Sequence, residues 1–370
     1  VCRKRHLETY SFKKNEITKL KGLIRGFLFP LSIAYDGITK FRNLLYDAGL
    51  FKSTKTPVYS IGVGNLAVGG TGKTPFVSYL IQHFKGNRIA ILSRGYGRKT
   101  EGYIEVDSNA SPSTVGDEIF MLFEKHRREA RFYVCEDRKV GVQRIVAAQP
   151  ETELIIFDDV FQHRGISPNY NILLSTFSNP FFDDFLLPYG RLREARQGLK
   201  RANAVIFTKV QNSISSSEKS HYLNRVKEIY SENLPVFFIN QIFPNATNTY
   251  GETLVSSEKV NVMSALAHNE LFQEEVAKNF EVTNKIEFRD HHAYTQNDID
   301  GVWDNAKSLP IITTEKDFVK LKELLTENQL QSFYVLKLEA NFLENEAAFL
   351  RNVKNDFKRF QARKGSLNNG

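Results

Sequence analysis

The sequence predicts an α/β protein made of two α/β/α sandwich domains, preceded by an amphipathic helix. Three observations carry that expectation. Beyond residue 55, short β-branched apolar runs alternate with helical stretches, the pattern of parallel βαβ units covered on both faces of a sheet. The 370 residues allow two or three domains with ample core. Residues 1–52 hold eleven Lys and Arg against four acids, so that segment is +7 while the other 318 residues sum to +1.

Composition narrows the class. Apolar residues make up 41% and charged residues 25%, ordinary values for a folded chain. Two cysteines, Cys2 and Cys135, exclude a disulfide framework and a cysteine-built zinc site. No run reaches the roughly 18–20 uncharged apolar residues of a spanning helix, which excludes a polytopic membrane protein. A body of net +1 argues against a nucleic-acid partner, which would call for a basic face. Nothing in the sequence points to an obligate protein partner.

Residues 26–35 read GFLFPLSIAY, without a charge, and Ile38, Phe41, Leu44 and Leu45 follow at helical spacing. Lys40 and Arg42 lie off that face. The pattern fits a basic amphipathic helix in a membrane interface, or a helix packed on the protein's own core with a solvated basic face. Residues 1–18 are polar and unpatterned.

The body reads in order. Strands are expected at Val58–Val63, Ile89–Leu92, Phe132–Cys135, Leu154–Phe157, Ile172–Leu174 and Val205–Phe207. Helices are expected near Lys73–Phe84, Asp117–Arg127 and Arg138–Ala148. A second series follows, with strands at Val236–Ile239, Val260–Met263, Lys285–Phe288, Ile311–Thr313 and Phe333–Leu336. Its helices fall near Ser217–Tyr230, Asn269–Lys278, Gln296–Lys307, Lys316–Thr326 and Glu344–Phe360. The expected division is a basic segment at 1–52, a first domain at 53–200 and a second α/β domain at 201–370.

Residues 58–76, VYSIGVGNLAVGGTGKTPF, run from an apolar strand through a Gly-rich turn into Lys73-Thr74 at a helix start. Glycines let backbone N–H groups turn toward phosphate oxygens, and the helix N-terminus adds a favourable dipole. Lys73 would neutralise β- and γ-phosphates, and the Thr74 hydroxyl would ligate Mg²⁺. Ala67 stands where the strict P-loop pattern needs glycine. The first domain is therefore expected to be a P-loop NTPase-like parallel sheet.

Such a loop needs a carboxylate at a strand end for its metal. Residues 153–159, ELIIFDD, supply Asp158 and Asp159 there. Gln162 and His163 follow; they would orient phosphate or substrate, or cap the next turn. Asp117 and Glu118 open a helix, either as N-terminal helix charge or, for Asp117, as a general base. Asp290-His291-His292 follows the strand KIEF, and strand alternation turns one histidine toward a cleft. Residues 177–190, FSNPFFDDFLLPYG, form either a lid beside the site or a loop that buries its own aromatics.

VGNLAVGGTGKTP, LSRGYGRKT, VGDE, EDR, IIFDDVFQHR, LLPYGRLRE, FRDHHAY and TTEKD occur in that order. Together they resemble the tetraacyldisaccharide 4'-kinases, the lipid A 4'-kinase family, which also lacks glycine at the position of Ala67. The resemblance implies transfer of the γ-phosphoryl of ATP, with Mg²⁺, to the 4'-hydroxyl of a tetraacyl glucosamine disaccharide 1-phosphate, the lipid A precursor. It implies a peripheral protein on the cytoplasmic face of the inner membrane of a Gram-negative bacterium. Carried onto this chain, it makes Gly64, Asn65, Gly69, Gly70, Thr71, Gly72, Lys73 and Thr74 the ATP-binding residues. Asp117 becomes the catalytic aspartate, with His291 its partner. Asp158, Asp159 and Glu194 join Thr74 as metal-site residues, and Arg94, Arg98, Arg138, Gln162 and His163 become substrate contacts. Two departures, Ile119 in place of a proline and the Val160 of DDVFQH, touch no proposed chemical group. With the loop in one domain and His291 in the other, closure on ATP binding is expected.

Two other classes compete. In a P-loop GTPase, Thr208-Lys209 would begin a guanine-reading TKxD, but Gln211 stands where Asp is required. A membrane-bound regulator that binds nucleotide without turnover would tolerate loss of Asp117.

Overall fold

The structure, a computed structural model, describes residues 28–266, 269–290 and 292–368. Residues 28–47 form helix α1. The first half of the body then runs β1 (Thr54–Lys55), β2 (Tyr59–Asn65), α2 (Lys73–His83), β3 (Ile89–Ser93), β4 (Ile104–Glu105), α3 (Pro112–Val115), α4 (Asp117–His126), β5 (Ala130–Val134), α5 (Arg138–Ala148), β6 (Leu154–Asp158), β7 (Ile166–Ser167) and β8 (Tyr170–Thr176). After a 3₁₀ turn at Arg196–Arg201 come β9 (Ala204–Thr208), α6 (Ser216–Ile229) and β10 (Val236–Ile242). The remainder is β11 (Lys259–Ser264), α7 (Asn269–Ala277), β12 (Glu281–Glu287), α8 (Gln296–Ala306), β13 (Ile311–Thr314), α9 (Glu315–Leu321), α10 (Glu327–Ser332), β14 (Phe333–Leu336), β15 (Glu339–Phe342) and α11 (Glu346–Asn368).

Two sheets organise these elements. The larger has nine strands in the order β15-β10-β9-β8-β2-β6-β3-β5-β4, and the smaller has four in the order β12-β11-β13-β14. Pairing is parallel in both except at the edges of the large sheet, where β15 and β4 run antiparallel to their neighbours. The expected sandwich architecture is present twice. Phe76, Leu80, Ile119, Leu122, Phe349, Val353 and Phe357 cover one face of the large sheet from α2, α4 and α11. Residues of α5 and α6 cover the other. The small sheet lies between α8 and α9 on one side and α7 on the other. Every residue of β2 is buried, which is why that strand reads as apolar and glycine rather than alternating.

The expected division at residue 200 does not match the sheets. Strands β9, β10 and β15 are hydrogen-bonded into the first sheet, and α11 packs on its core. The second unit is therefore an insertion between β10 and β15, and the chain returns to the first unit afterwards. An apolar strand such as β9 carries no local mark of which sheet it will join. Helix pairing links the units, because α4 lies against α9: Lys125 meets Glu315 at 2.8 Å and Lys322 meets Glu124 at 3.0 Å.

The aromatics of residues 177–190 divide between core and surface. Phe181 and Phe182 are buried in the core. Phe185 is exposed and meets Tyr189 edge-to-face, and Tyr189 in turn meets Phe29 of α1.

Candidate active site

The loop between β2 and α2 is shaped by its glycines. Gly69 and Gly72 sit at φ 106° and 80°, in the left-handed region where a side chain would be strained. Gly72 is the N-cap of α2, so Lys73 and Thr74 occupy the first turn of that helix. Asn65 Nδ2 donates to Thr71 Oγ1 at 2.7 Å and Thr208 Oγ1 donates to the Thr71 carbonyl at 2.9 Å, so the loop is tied across its mouth. Gly70 lies in the same loop, and Gly64, next to the end of β2, lets Phe161 pass, since a Cβ there would lie 2.6 Å from Phe161 Cβ.

Strand β6 delivers Asp158 and Asp159 beside this loop. Asp158 is buried, accepts from Ser93 Oγ at 3.3 Å, and keeps its Oδ1 buried without a hydrogen-bond partner among the described residues. Burial pushes its carboxyl up to about 7, with Glu118 adding to the rise and Lys73 opposing it. Asp159 follows at φ 55°. Burial acts against its charge, yet the Arg193 fork, Lys73 and Arg138 hold it below the usual carboxylate range. Arg193 donates to Asp159 Oδ1 at 2.8 Å and Oδ2 at 3.0 Å, and its other contacts are the side chain and carbonyl of Asn65. Arg193 was hidden in the sequence within GRLRE, next to the acid that drew attention.

Helix α4 opens toward the same place. Val63 of β2 lies opposite Asp158 of β6, so the P-loop leaves its strand beside the acids, and Glu118 at the start of α4 adds to the rise in the Asp158 pKa while Lys73 opposes it. The RGYG segment seals this side: a Cβ on Gly116 would lie 2.8 Å from the Tyr96 carbonyl. Asp117 Oδ2 lies 2.7 Å from Lys320 Nζ on α9. His291 lies outside the described residues. His292 is committed elsewhere, stacked on Phe288 and 3.1 Å from Asp298 Oδ2.

The remaining expected contacts divide. Arg94 is exposed at the rim. The Arg98 side chain is buried against Glu136 and donates to the Gly102 carbonyl at 2.6 Å. Arg138 is likewise buried and donates to the carbonyls of Cys135, Glu136, Asp158 and Asp159, bracing two strand ends. Both were expected to meet substrate phosphate; here their guanidinium groups are buried against protein partners. Gln162 donates to the Asn65 carbonyl at 2.8 Å and to Glu194 Oε1 at 3.0 Å. His163 is half-buried, and burial followed by Arg138 lowers its pKa. Glu194 is fully buried, with Oε2 accepting from Arg201 at 2.7 Å and from Asn43 of α1 at 3.3 Å. Its oxygens thus anchor α1 and Gln162, where a metal ligand was expected. Among the described residues, no three His, Cys, Asp or Glu side chains form a metal-holding group.

The comparisons decide the family. The family model for tetraacyldisaccharide-1-P 4'-kinase matches residues 24–358. The chain belongs to the tetraacyldisaccharide 4'-kinase family. It is an ATP-dependent kinase of the lipid A disaccharide precursor. Among relatives of this kinase, the tetraacyldisaccharide 4'-kinase of Cytophaga hutchinsonii is 36% identical over 338 residues, covering 90% of this chain and 95% of that one. That of Flavobacterium psychrophilum is 36% identical over 342 residues, covering 90% and 96%. The crystal structure of LpxK from Aquifex aeolicus in complex with ATP superposes on this kinase with a TM-score of 0.73 at 29% identity, covering 90% of this chain and 99% of that one.

Proposed function

We propose that Asp117 is the base of the phosphoryl transfer and that the P-loop, Asp158 and Asp159 form its phosphate and metal side. The observation that supports this most is the register of β2 with β6, Val63 opposite Asp158, which sets the acids at the strand end from which the P-loop leaves. The sugar 4'-oxygen attacks the γ-phosphorus, its proton passes to the Asp117 carboxylate, and the bond from γ-phosphorus to the β-bridging oxygen breaks to release ADP. Lys73 and the loop amides bear charge on the phosphate oxygens. Asp158 Oδ1, without a hydrogen-bond partner among the described residues, and the hydroxyl of Thr74 suit a hard cation. Thr74, Asp158 and Asp159 would hold Mg²⁺, which when bound neutralises charge on the β- and γ-oxygens. Arg193 keeps Asp159 ionised and aligned. His291 is proposed as the partner of Asp117.

The test is transfer of label from γ-labelled ATP to a tetraacyl disaccharide 1-phosphate in detergent, comparing wild type with Asp117→Ala. Label reaching the lipid only with Mg²⁺ and Asp117 supports the assignment. Unimpaired transfer by the variant sinks the role given to Asp117.

We also propose that α1 docks the enzyme on the cytoplasmic face of the inner membrane. No described helix is long and apolar enough to cross a membrane. Instead α1 turns its polar side inward: Ser32 donates to the Leu186 carbonyl, Tyr35 to the Arg193 carbonyl and Asn43 to Glu194. Its apolar side, with Phe29, Leu31, Ile33, Ile38, Phe41 and Leu44, is exposed, Ile38 by 70%. That is the reverse of a helix on a soluble surface. Co-sedimentation with vesicles containing anionic lipid is expected for wild type and is expected to fall about tenfold for the pair Ile38→Asp and Phe41→Asp. Equal binding by both proteins would refute the docking surface.

A further inference from the structure

Lys320 of α9 bridges two parts of the site that come from different units. Its Nζ lies 2.7 Å from Asp117 Oδ2 and 3.4 Å from the carbonyl oxygen of His292. Both charged side chains are shielded, with 11% of Lys320 and 18% of Asp117 exposed. The start of α9, which carries Lys320, is hydrogen-bonded in place. Thr314 Oγ1 accepts from the Asp317 amide and donates to Asp317 Oδ2 at 2.7 Å, and Asp317 Oδ2 also accepts from the Ala265 amide at 3.0 Å. The neighbouring pairs, Lys125 with Glu315 and Lys322 with Glu124, also join α9 to α4, so Lys320 is not alone in docking the two helices.

We infer that Lys320 is a positioning residue for phosphoryl transfer, its ammonium fixing the Asp117 carboxylate and tying it to the backbone of the DHH loop. An ammonium 2.7 Å from Oδ2 restrains the carboxylate at the face of α9. It also balances the negative charge that Asp117 brings toward a polyphosphate. The inference rests on Asp117 being the base.

The experiment is steady-state kinetics of the full chain with ATP, Mg²⁺ and a tetraacyl disaccharide 1-phosphate, for Lys320→Met, Lys320→Ala, Lys320→Arg, Lys322→Met and Asp117→Asn. Loss of the ammonium is expected to lower kcat by about 30- to 100-fold, the scale of a misplaced catalytic group. KM for ATP is expected to stay within about threefold, since the lost contact is not to nucleotide. Lys320→Arg should recover part of the rate, and added ethylammonium should accelerate Lys320→Ala. Lys322→Met, which loses an ion pair of the same helices away from Asp117, should stay near wild type. A thermal melt checks that each variant is folded. If Asp117→Asn is inactive while Lys320→Met or Lys320→Ala keeps more than about a third of kcat, the role of Lys320 is overturned and that of Asp117 stands. A folded Lys320→Ala that ethylammonium does not accelerate overturns it too. An active Asp117→Asn would instead remove the base assignment beneath it.

Discussion

Arg193 gathers two carboxylate oxygens of Asp159 and the side chain of Asn65 under one guanidinium. A lysine has the charge but not the planar fork, so it cannot meet all three. Arg193→Lys is expected to lower kcat/KM by about 10- to 100-fold, or roughly 1.4–2.7 kcal/mol of transition-state stabilisation, and initial-rate kinetics read this directly. Gly64 shows the same dependence in steric form. Its missing Cβ lets the Phe161 backbone nitrogen come within 3.0 Å of where that atom would be. Gly64→Ala must push β2 from the turn after Asp159, at a cost of about 1–3 kcal/mol. Urea unfolding checks it, and an unchanged midpoint would mean the turn can move freely.

Between elements, the contact of α2 with α4 includes a polar pair. Ser78 Oγ lies 2.6 Å from His126 Nε2 in the core. Burial, and then Lys125, lowers the His126 pKa from 6.5 to about 4. The unfolded chain takes up that proton near 6.5 and the folded one only near 4, so this contribution is intact above pH 6.5 and is lost as pH falls toward 4. The full effect is about 3 kcal/mol. Urea unfolding at a series of pH values should show the decline, and His126→Gln should flatten it. Helix α1 illustrates what the sequence could and could not say about an element. Its spacing was legible, but its orientation was not, because Ser32, Tyr35 and Asn43 are inward only by virtue of partners more than 150 positions away. The centres of β3, β6 and β9 were legible for the same reason that β2 was: burial on both faces leaves an apolar run. The short edge strands β4 and β15 were missed, since two to four residues carry no period. At the site, glycines, Lys73 and the acids after β6 stand in a recognisable local order. Arg98 and Arg138 were read as ligand contacts because charge is visible in a sequence and burial is not. Lys320 escaped notice because its meaning depends on Asp117, which lies in the other unit.

For the molecule as a whole, the inserted unit is held by two connections, out from β10 and back into β15, and by the ion pairs between α4 and α9. Those pairs are partly exposed, so salt should weaken them. Solution scattering with a non-hydrolysable ATP analogue is expected to show a smaller radius of gyration than without it. An identical radius would count against domain closure as part of the cycle. The return of the chain after the insertion has another side. Strand β15 covers β10, while Phe349, Val353 and Phe357 of α11 cap the face that begins with Tyr59. Tyr59 donates to Asp356 Oδ2 at 2.9 Å, a partner 297 positions later. On a ribosome adding roughly 5–20 residues per second, that wait is about 15–60 s. Throughout it the nascent P-loop sheet has an uncapped apolar face, and once β10 is made its edge stays open for about 5–20 s more while the inserted unit is synthesised. The nucleotide-binding half is thus the first begun and the last completed, and its early form is the one a chaperone would meet.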